Sequence, residues 1–167
     1  MTDITLKVDS GYFNYRVGAI IISDNNLLMV KNENYSHYYS VGGRVNFGET
    51  AENAVLREAY EETHINFEIE RLAFIHENFF AGRFESELSK PFHEISLFFL
   101  MKPHDRIKYI KSNSIGADGG KESLYWLPTD KLSDYHVFPE FFKTELLHMK
   151  NEVGHFVTRE ENTVRAL

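Results

Sequence analysis

Alternating apolar and polar positions divide this chain into strand-like runs around one strongly helical segment. Tyr12 to Ser23 (YFNYRVGAIIIS) is rich in β-branched and aromatic residues and predicts a long strand. Asp24-Asn25-Asn26 supplies turn residues, and Leu27 to Lys31 (LLMVK) returns as the hairpin partner. Tyr38 to Ser40 leads into a glycine pair. Beyond it the apolar spacing becomes helical. Ala51, Ala54 and Val55 mark one face of a helix over Ala51–Thr63, with Thr50 as its N-cap. Phe67, Ile69, Ala73 and Ile75 share the parity of a strand from about Phe67 to Phe79. A loop from Ala81 to Phe92 precedes a strong strand at Glu94–Met101 (EISLFFLM). Pro103 to Lys121 is irregular, with a GADGG run at 116–120 expected to be mobile. Ser123 to Leu127 predicts a short strand. Pro139 fits the first position of a second helix, with Phe138, Phe141, Phe142, Leu146 and Met149 as its apolar stripe. The tail from about residue 151 adds a strand at His155–Thr158 or frays. Mixed strands with one central and one late helix predict an α+β sandwich.

The helix carries the chemistry. Glu58, Glu61 and Glu62 fall on the same side as Ala51, Ala54 and Val55, the side that should turn toward the protein. A solvated acidic face would lie opposite that stripe. Glu58 and Glu62 are also a like-charge i,i+4 pair, destabilising by roughly 0.2–0.5 kcal/mol. They stand near the helix C-terminus, where the macrodipole disfavours anions. Neither has an evident cationic partner in sequence. A hard divalent cation held by oxygen ligands is the simplest compensation.

Composition narrows the function classes. The 167 residues suit a single domain over 1–167, and 43% hydrophobic residues with 14 Phe and 9 Tyr supply an ample core. No apolar run approaches the roughly 20 residues that span a bilayer, and MTDITLKVDS lacks a signal-peptide layout. With no cysteine there are neither disulfides nor thiolate metal sites, and the cytoplasm is the default location. A formal charge of −7 argues against a binder of nucleic-acid polymers. It leaves room for a small phosphorylated substrate that arrives partly neutralised by metal.

Gly43, Glu49 and the run Arg57-Glu58-Ala59-Tyr60-Glu61-Glu62, closed by Ile65, resemble the signature of the Nudix hydrolases. One position departs: His64 stands where the family has glycine. Histidine tolerates the left-handed conformation a helix cap needs, so the cap should survive. Val41, where many relatives have proline, affects loop stiffness only. The resemblance implies the Nudix fold, a mixed sheet flanked by helices with the signature as loop–helix–loop. It also implies hydrolysis of a nucleoside diphosphate linked to another moiety, with Mg²⁺ as cofactor and Mn²⁺ as substitute. Glu58, Glu61 and Glu62 correspond to metal ligands, with the Gly42 carbonyl as an extra one. Glu58 or Glu62 would activate water, and Glu49 and Arg57 would form a supporting ion pair.

Outside the signature, Glu122 and then Asp118 are candidates for an additional carboxylate. Lys31 and Arg44 are candidate phosphate contacts. Phe80, Arg83 and Phe84 could hold a base or phosphate from the 80–92 loop. Such an aromatic loop could cover a second moiety, which ranks nucleotide sugars such as ADP-ribose ahead of nucleoside triphosphates. The alternative function is an inactive Nudix-like module that senses a nucleotide. A homodimer is compatible with the sequence but not derivable from it.

Overall fold

The computed structural model describes residues 2–81, 90–105, 113–115 and 119–159. Its first elements are strands β1 (Thr5–Val8), β2 (Gly11–Ile20), β3 (Ile22–Ser23), β4 (Asn26–Asn32) and β5 (Tyr38–Arg44). Helix α1 (Ala51–Thr63) follows, then β6 (Ile69–Ala81), β7 (Pro91–Met101), β8 (Asn113–Ile115) and β9 (Lys121–Pro128). A 3-10 turn at Thr129–Asp134 leads to β10 (Val137–Phe138) and to α2 (Phe142–Glu145), which tightens into 3-10 geometry over Leu146–His148. Strand β11 (Gly154–Arg159) is the last described element.

The strands join in the order β11-β6-β7-β2-β5-β4-β9-β8, with β1 on β2, β3 on β4 and β10 on β5. The sheet is mixed. β2 runs parallel to β7, and β11 parallel to β6, whereas β6–β7, β2–β5, β4–β5 and β4–β9 are antiparallel. Two apolar layers cover it. Val17, Ala19, Val30, Val41 and Phe99 pack with Ala54, Val55 and Ala59 of α1. Ile20, Leu27, Met29, Phe74, Phe98 and Leu127 pack with Phe142 and Leu146 of the α2 segment. This is the α+β sandwich expected from the order of the elements.

Helix α1 begins and ends as its capping chemistry dictates. Thr50 adopts extended backbone angles, and its side chain accepts from the Asn53 N–H. His64 takes the left-handed cap at φ 58°, ψ 25°, with its N–H donating to the Tyr60 carbonyl. Elsewhere tertiary context overrides local pattern. The run Tyr12–Ser23 is two strands, because beyond Ile20 the chain leaves β7 to make the β3–β4 hairpin. The strand expected at Phe67–Phe79 lies at Ile69–Ala81. Its register against β7 shifts between Ile69 and Arg71 and again between Leu72 and Phe74, so Ala73 and Phe74 are both buried. Phe80 and Phe92 therefore belong to strands, not to the connecting loop. Pro139 precedes the helix instead of starting it: Phe142 donates to its carbonyl, and Phe138 pairs in β10 with Tyr39 of β5. The tail forms a strand. Most of the GADGG run, Asp118 included, lies outside the described residues, as do Arg83 and Phe84.

Candidate active site

The site begins where β5 changes neighbours. Tyr39 and Ser40 pair with β4, but Val41 to Arg44 pair with β2 instead. Past Ser40 the flank of β5 that faced β4 is thus left without a strand, and its backbone groups need other partners. Helix α1 supplies them. The Gly42 N–H donates to Glu62 Oε1 at 3.1 Å, and the Arg44 carbonyl accepts from Arg57 Nη2 at 3.0 Å. Gly43 brings the strand close to the helix, since a Cβ there would overlap the Glu58 carboxylate.

Arg57 ties the acidic residues together. Its Nε and Nη2 donate to the two oxygens of Glu49 at 2.9 Å each, and Nη1 reaches Glu58 Oε1 at 2.6 Å and Glu61 Oε2 at 3.4 Å. Glu49 also accepts from the Asn46 N–H at 3.0 Å, locking the glycine loop to the helix. The expectation that Glu58 lacks a cationic partner is therefore corrected. Neighbouring helix positions do not normally face each other, but the long arginine stem folds back far enough to bridge them.

One guanidinium leaves these carboxylates in different states. Hydrogen bonding to Arg57 holds Glu49 down to about 2, and the same bond pushes Arg57 up. Glu58 is raised, because desolvation outweighs what Arg57 contributes. Glu62 is pushed up to about 8, chiefly by burial, with the charges of Glu58 and Glu122 adding to it and the Gly42 N–H opposing. The residue as a whole is half-buried, but its Oε2 is closed to solvent and has no hydrogen-bond partner. Glu61 is 56% exposed and sits at the edge of the group.

Among the described residues, no three carboxylate or imidazole groups converge into a preformed cation cage. The donor chemistry nevertheless fits a hard divalent ion. Glu62 offers an orphaned, buried carboxylate oxygen, and Glu58 and Glu61 stand on the same helix within one turn.

The remaining candidates divide between the two sheet faces. Glu122 lies opposite Asn32 in register and accepts from the Tyr39 hydroxyl at 2.6 Å, and its charge acts on Glu62. Lys31, one residue out of phase, turns to the other face, with its ammonium 5.0 Å from the Tyr38 ring centre. Arg44 alternates with Gly43 and faces away from Glu58. Phe80 stacks on Phe92 at 5.1 Å, and Phe92 on Tyr12 at 5.0 Å. Phe80 is thus one ring in a stack across three strands, not a free loop aromatic.

Two features escaped the sequence reading. Arg16 of β2 exerts a favourable pull on both Glu58 and Glu62. The polar alternation Tyr12, Asn14, Arg16 within an otherwise apolar strand was its available signal. A second feature is an aromatic and imidazole surface beside Tyr39. Tyr35 stacks on His37 at 5.3 Å, and His37 meets Phe138 and His136 edge-on at 5.1 and 5.7 Å.

Comparison with known proteins agrees with this arrangement. The NUDIX domain profile matches residues 13–145. A MutT-like protein of Streptomyces ambofaciens is 26% identical over 117 residues, which span 70% of this chain and 64% of that relative. The crystal structure of a mutator MutT protein from Bacillus halodurans superposes with a TM-score of 0.64 at 19% identity, covering 90% of this chain and 92% of that one. An ADP-ribose pyrophosphatase from Streptococcus suis gives 0.52 at 12% identity, covering 87% and 98%. With the profile spanning most of the sequence and the acidic helix seated against the glycine strand, the chain belongs to the Nudix hydrolase family.

Proposed function

We propose that this chain is a divalent-metal-dependent pyrophosphohydrolase. It would cleave a nucleoside diphosphate linked to another moiety, releasing a nucleoside monophosphate and a phosphorylated remainder. The observation that carries this reading is the solvent-closed, unpartnered Oε2 of Glu62 beside Glu58, on a helix pinned under a glycine strand edge.

Glu58, Glu61 and Glu62 would hold the ion, with the Gly42 carbonyl as a further donor. When bound, Mg²⁺ or Mn²⁺ neutralises charge on adjacent phosphates and lowers the pKa of water. The chain itself orients and excludes. Arg57 fixes Glu58 against Glu49, so the carboxylate direction is set before substrate arrives. Glu58 or Glu62 accepts the proton of the attacking water. The Tyr39 hydroxyl holds Glu122 as a further carboxylate facing the same site. The Tyr35–His37 surface offers a stacking platform for a heterocycle or sugar. That surface replaces the 80–92 loop as the ground for ranking ADP-ribose-like nucleotide sugars ahead of nucleoside triphosphates.

The test is a panel of nucleotide sugars, dinucleotides and nucleoside triphosphates, assayed for phosphate products with Mg²⁺, with Mn²⁺ and with chelator. Metal-dependent cleavage of diphosphate compounds and little action on nitrophenyl phosphate are expected. Cleavage of the monoester alone would overturn the assignment. Binding of the panel without any turnover would favour a nucleotide-sensing module.

A further inference from the structure

The glycine loop is fastened from outside the site, by the residues just ahead of β1. Ile4 stands between β2 and the loop: its N–H donates to the Val45 carbonyl at 2.8 Å, and its carbonyl accepts from the Tyr15 N–H at 3.2 Å. Further along the loop the Phe47 N–H donates to the Thr2 carbonyl at 2.9 Å, so Asp3 and Asn46 face each other as an antiparallel bridge. Packing does not hold Phe47, which is 86% exposed. The Asn46 carbonyl accepts from the Glu49 N–H at 3.1 Å, and Gly48 has φ 84°, which makes a type II turn with Phe47 at its second position. Asn46, buried, is the link inward. Its N–H donates to Glu49 at 3.0 Å, Glu49 takes two bonds from Arg57, and Arg57 reaches Glu58 Oε1 at 2.6 Å.

We propose that Thr2–Ile4 is a positioning strap for the acidic site: by fixing the backbone of Val45–Phe47 it sets the direction of the Glu58 carboxylate, through Asn46, Glu49 and Arg57. The inference rests on the metal-dependent reading and deepens it by naming residues outside the site that govern its geometry. The need for a strap arises in β5. Beyond Arg44 its ladder with β2 ends in one bond, from the Val45 N–H to the Tyr15 carbonyl at 3.0 Å, and the backbone groups that follow need partners. Thr2 and Ile4 supply them. Ile4 anchors the strap by packing on the core that α1 shares with the sheet. Thr2 and Asp3 are exposed, so their hold on the loop is directional hydrogen bonding and not burial. Outer partners of this kind orient metal ligands, and losing one costs about 10–100-fold in metal affinity or activity.

The experiment measures Mn²⁺ affinity of the full chain by calorimetric titration, beside kcat and KM for a cleaved diphosphate. Ile4→Pro removes the N–H that bonds Val45 and keeps an apolar side chain. It should weaken Mn²⁺ binding at least about tenfold and lower kcat similarly, with KM nearly unchanged. Ile4→Ala keeps the N–H and loses packing, so it should melt lower yet keep wild-type Mn²⁺ affinity. Adding Phe47→Pro to Ile4→Pro should restore part of the affinity, because proline presets the second position of the turn. Loss of packing at Ile4 would not be rescued from that exposed loop position. Without metal, the Asn46 amide should exchange with solvent faster in Ile4→Pro than in Ile4→Ala. Wild-type affinity in Ile4→Pro, equal losses in the two single variants, or no rescue overturns the strap. Should Ile4→Pro fail to fold, deletion of the exposed Thr2 and Asp3, which removes the bond to Phe47 and spares Ile4, decides by the same readouts. Should wild type bind no Mn²⁺, the metal reading falls and Asn46 exchange decides the strap alone. Cleavage that Ile4→Pro leaves unaltered retains the hydrolase and removes the strap. Strap-dependent Mn²⁺ affinity with no cleavage retains the strap and removes the hydrolase.

Discussion

A carboxylate oxygen closed to water and bonded to nothing is costly, and Glu62 carries one. With its folded pKa pushed up to about 8 from 4.5, the native chain holds a proton there that the unfolded chain releases. Metal-free stability should thus fall as pH rises from about 4.5 toward 8. Glu62→Gln, which is neutral throughout, should melt higher than wild type at pH 8 in chelator, with the difference gone near pH 4. Turnover should drop at least ~10²-fold. Added Mg²⁺ should raise the melting temperature of wild type more than that of the variant. Near-wild-type rates at saturating Mg²⁺ would show that another residue carries the ion. The glutamates were legible in the sequence because helical spacing alone places them on one face. Their partner Arg57 was legible as a match to Glu49, but not as a bridge to Glu58, since side-chain path is not fixed by spacing. Arg16 was missed because its pull on Glu58 and Glu62 depends on β2 lying beside β5, a neighbour relation that spacing along the chain does not carry.

At the scale of elements, the contact between α1 and β5 is the critical one. A methyl group on Gly43 would strike the Glu58 carboxylate, which would have to swing away from the Arg57 guanidinium that holds it, since the strand backbone yields less readily than a side-chain end. Gly43→Ala should therefore leave the circular dichroism spectrum intact and cost roughly 1–3 kcal/mol of stability. The displaced carboxylate should lower turnover by up to roughly 10²-fold. Wild-type kinetics in this variant would mean that the close approach of strand and helix has no bearing on catalysis. The limits of α1 were readable because Thr50 and His64 settle them with local hydrogen bonds and one left-handed residue. The limits of β6 were not. Its two register shifts arise from pairing with β7, and they break the alternation on which any reading of parity depends. Strand β1 went unnoticed because all four of its residues are exposed, leaving no apolar signal.

For the molecule as a whole, acid sensitivity has an identifiable source in His76. It is 5% exposed, held down to about 4 by burial, with its ring edge-on to Phe141 and its Nε2 2.9 Å from Thr158 Oγ1. The unfolded chain takes up a proton near pH 6.5 that the native chain refuses until about 4, so stability is lost as pH falls through that window. The ceiling on the loss is ~3 kcal/mol. His76→Gln should flatten the decline in urea midpoint between pH 6.5 and 4.5. The Glu49 contribution, with its depressed carboxylate, should persist and disappear only between about 4.5 and 2. An unchanged slope would place the acid sensitivity elsewhere. The mixed sheet has a further consequence, in time rather than in energy. The two long parallel pairings among the described residues, Tyr12 with Phe92 and Phe74 with Gly154, join residues 80 positions apart, and the short third, Val137 with Tyr38, joins residues 99 apart. Hairpin pairing of β6 with β7 can form early, but loop closure makes these parallel seams slow to find. As the chain leaves the ribosome, the outer edge of β6 stays uncovered until residues 154–159 have been made. That late-covered edge, with Phe74, Ile75 and Phe79 along it, is where a nascent chain is most open to wrong pairing.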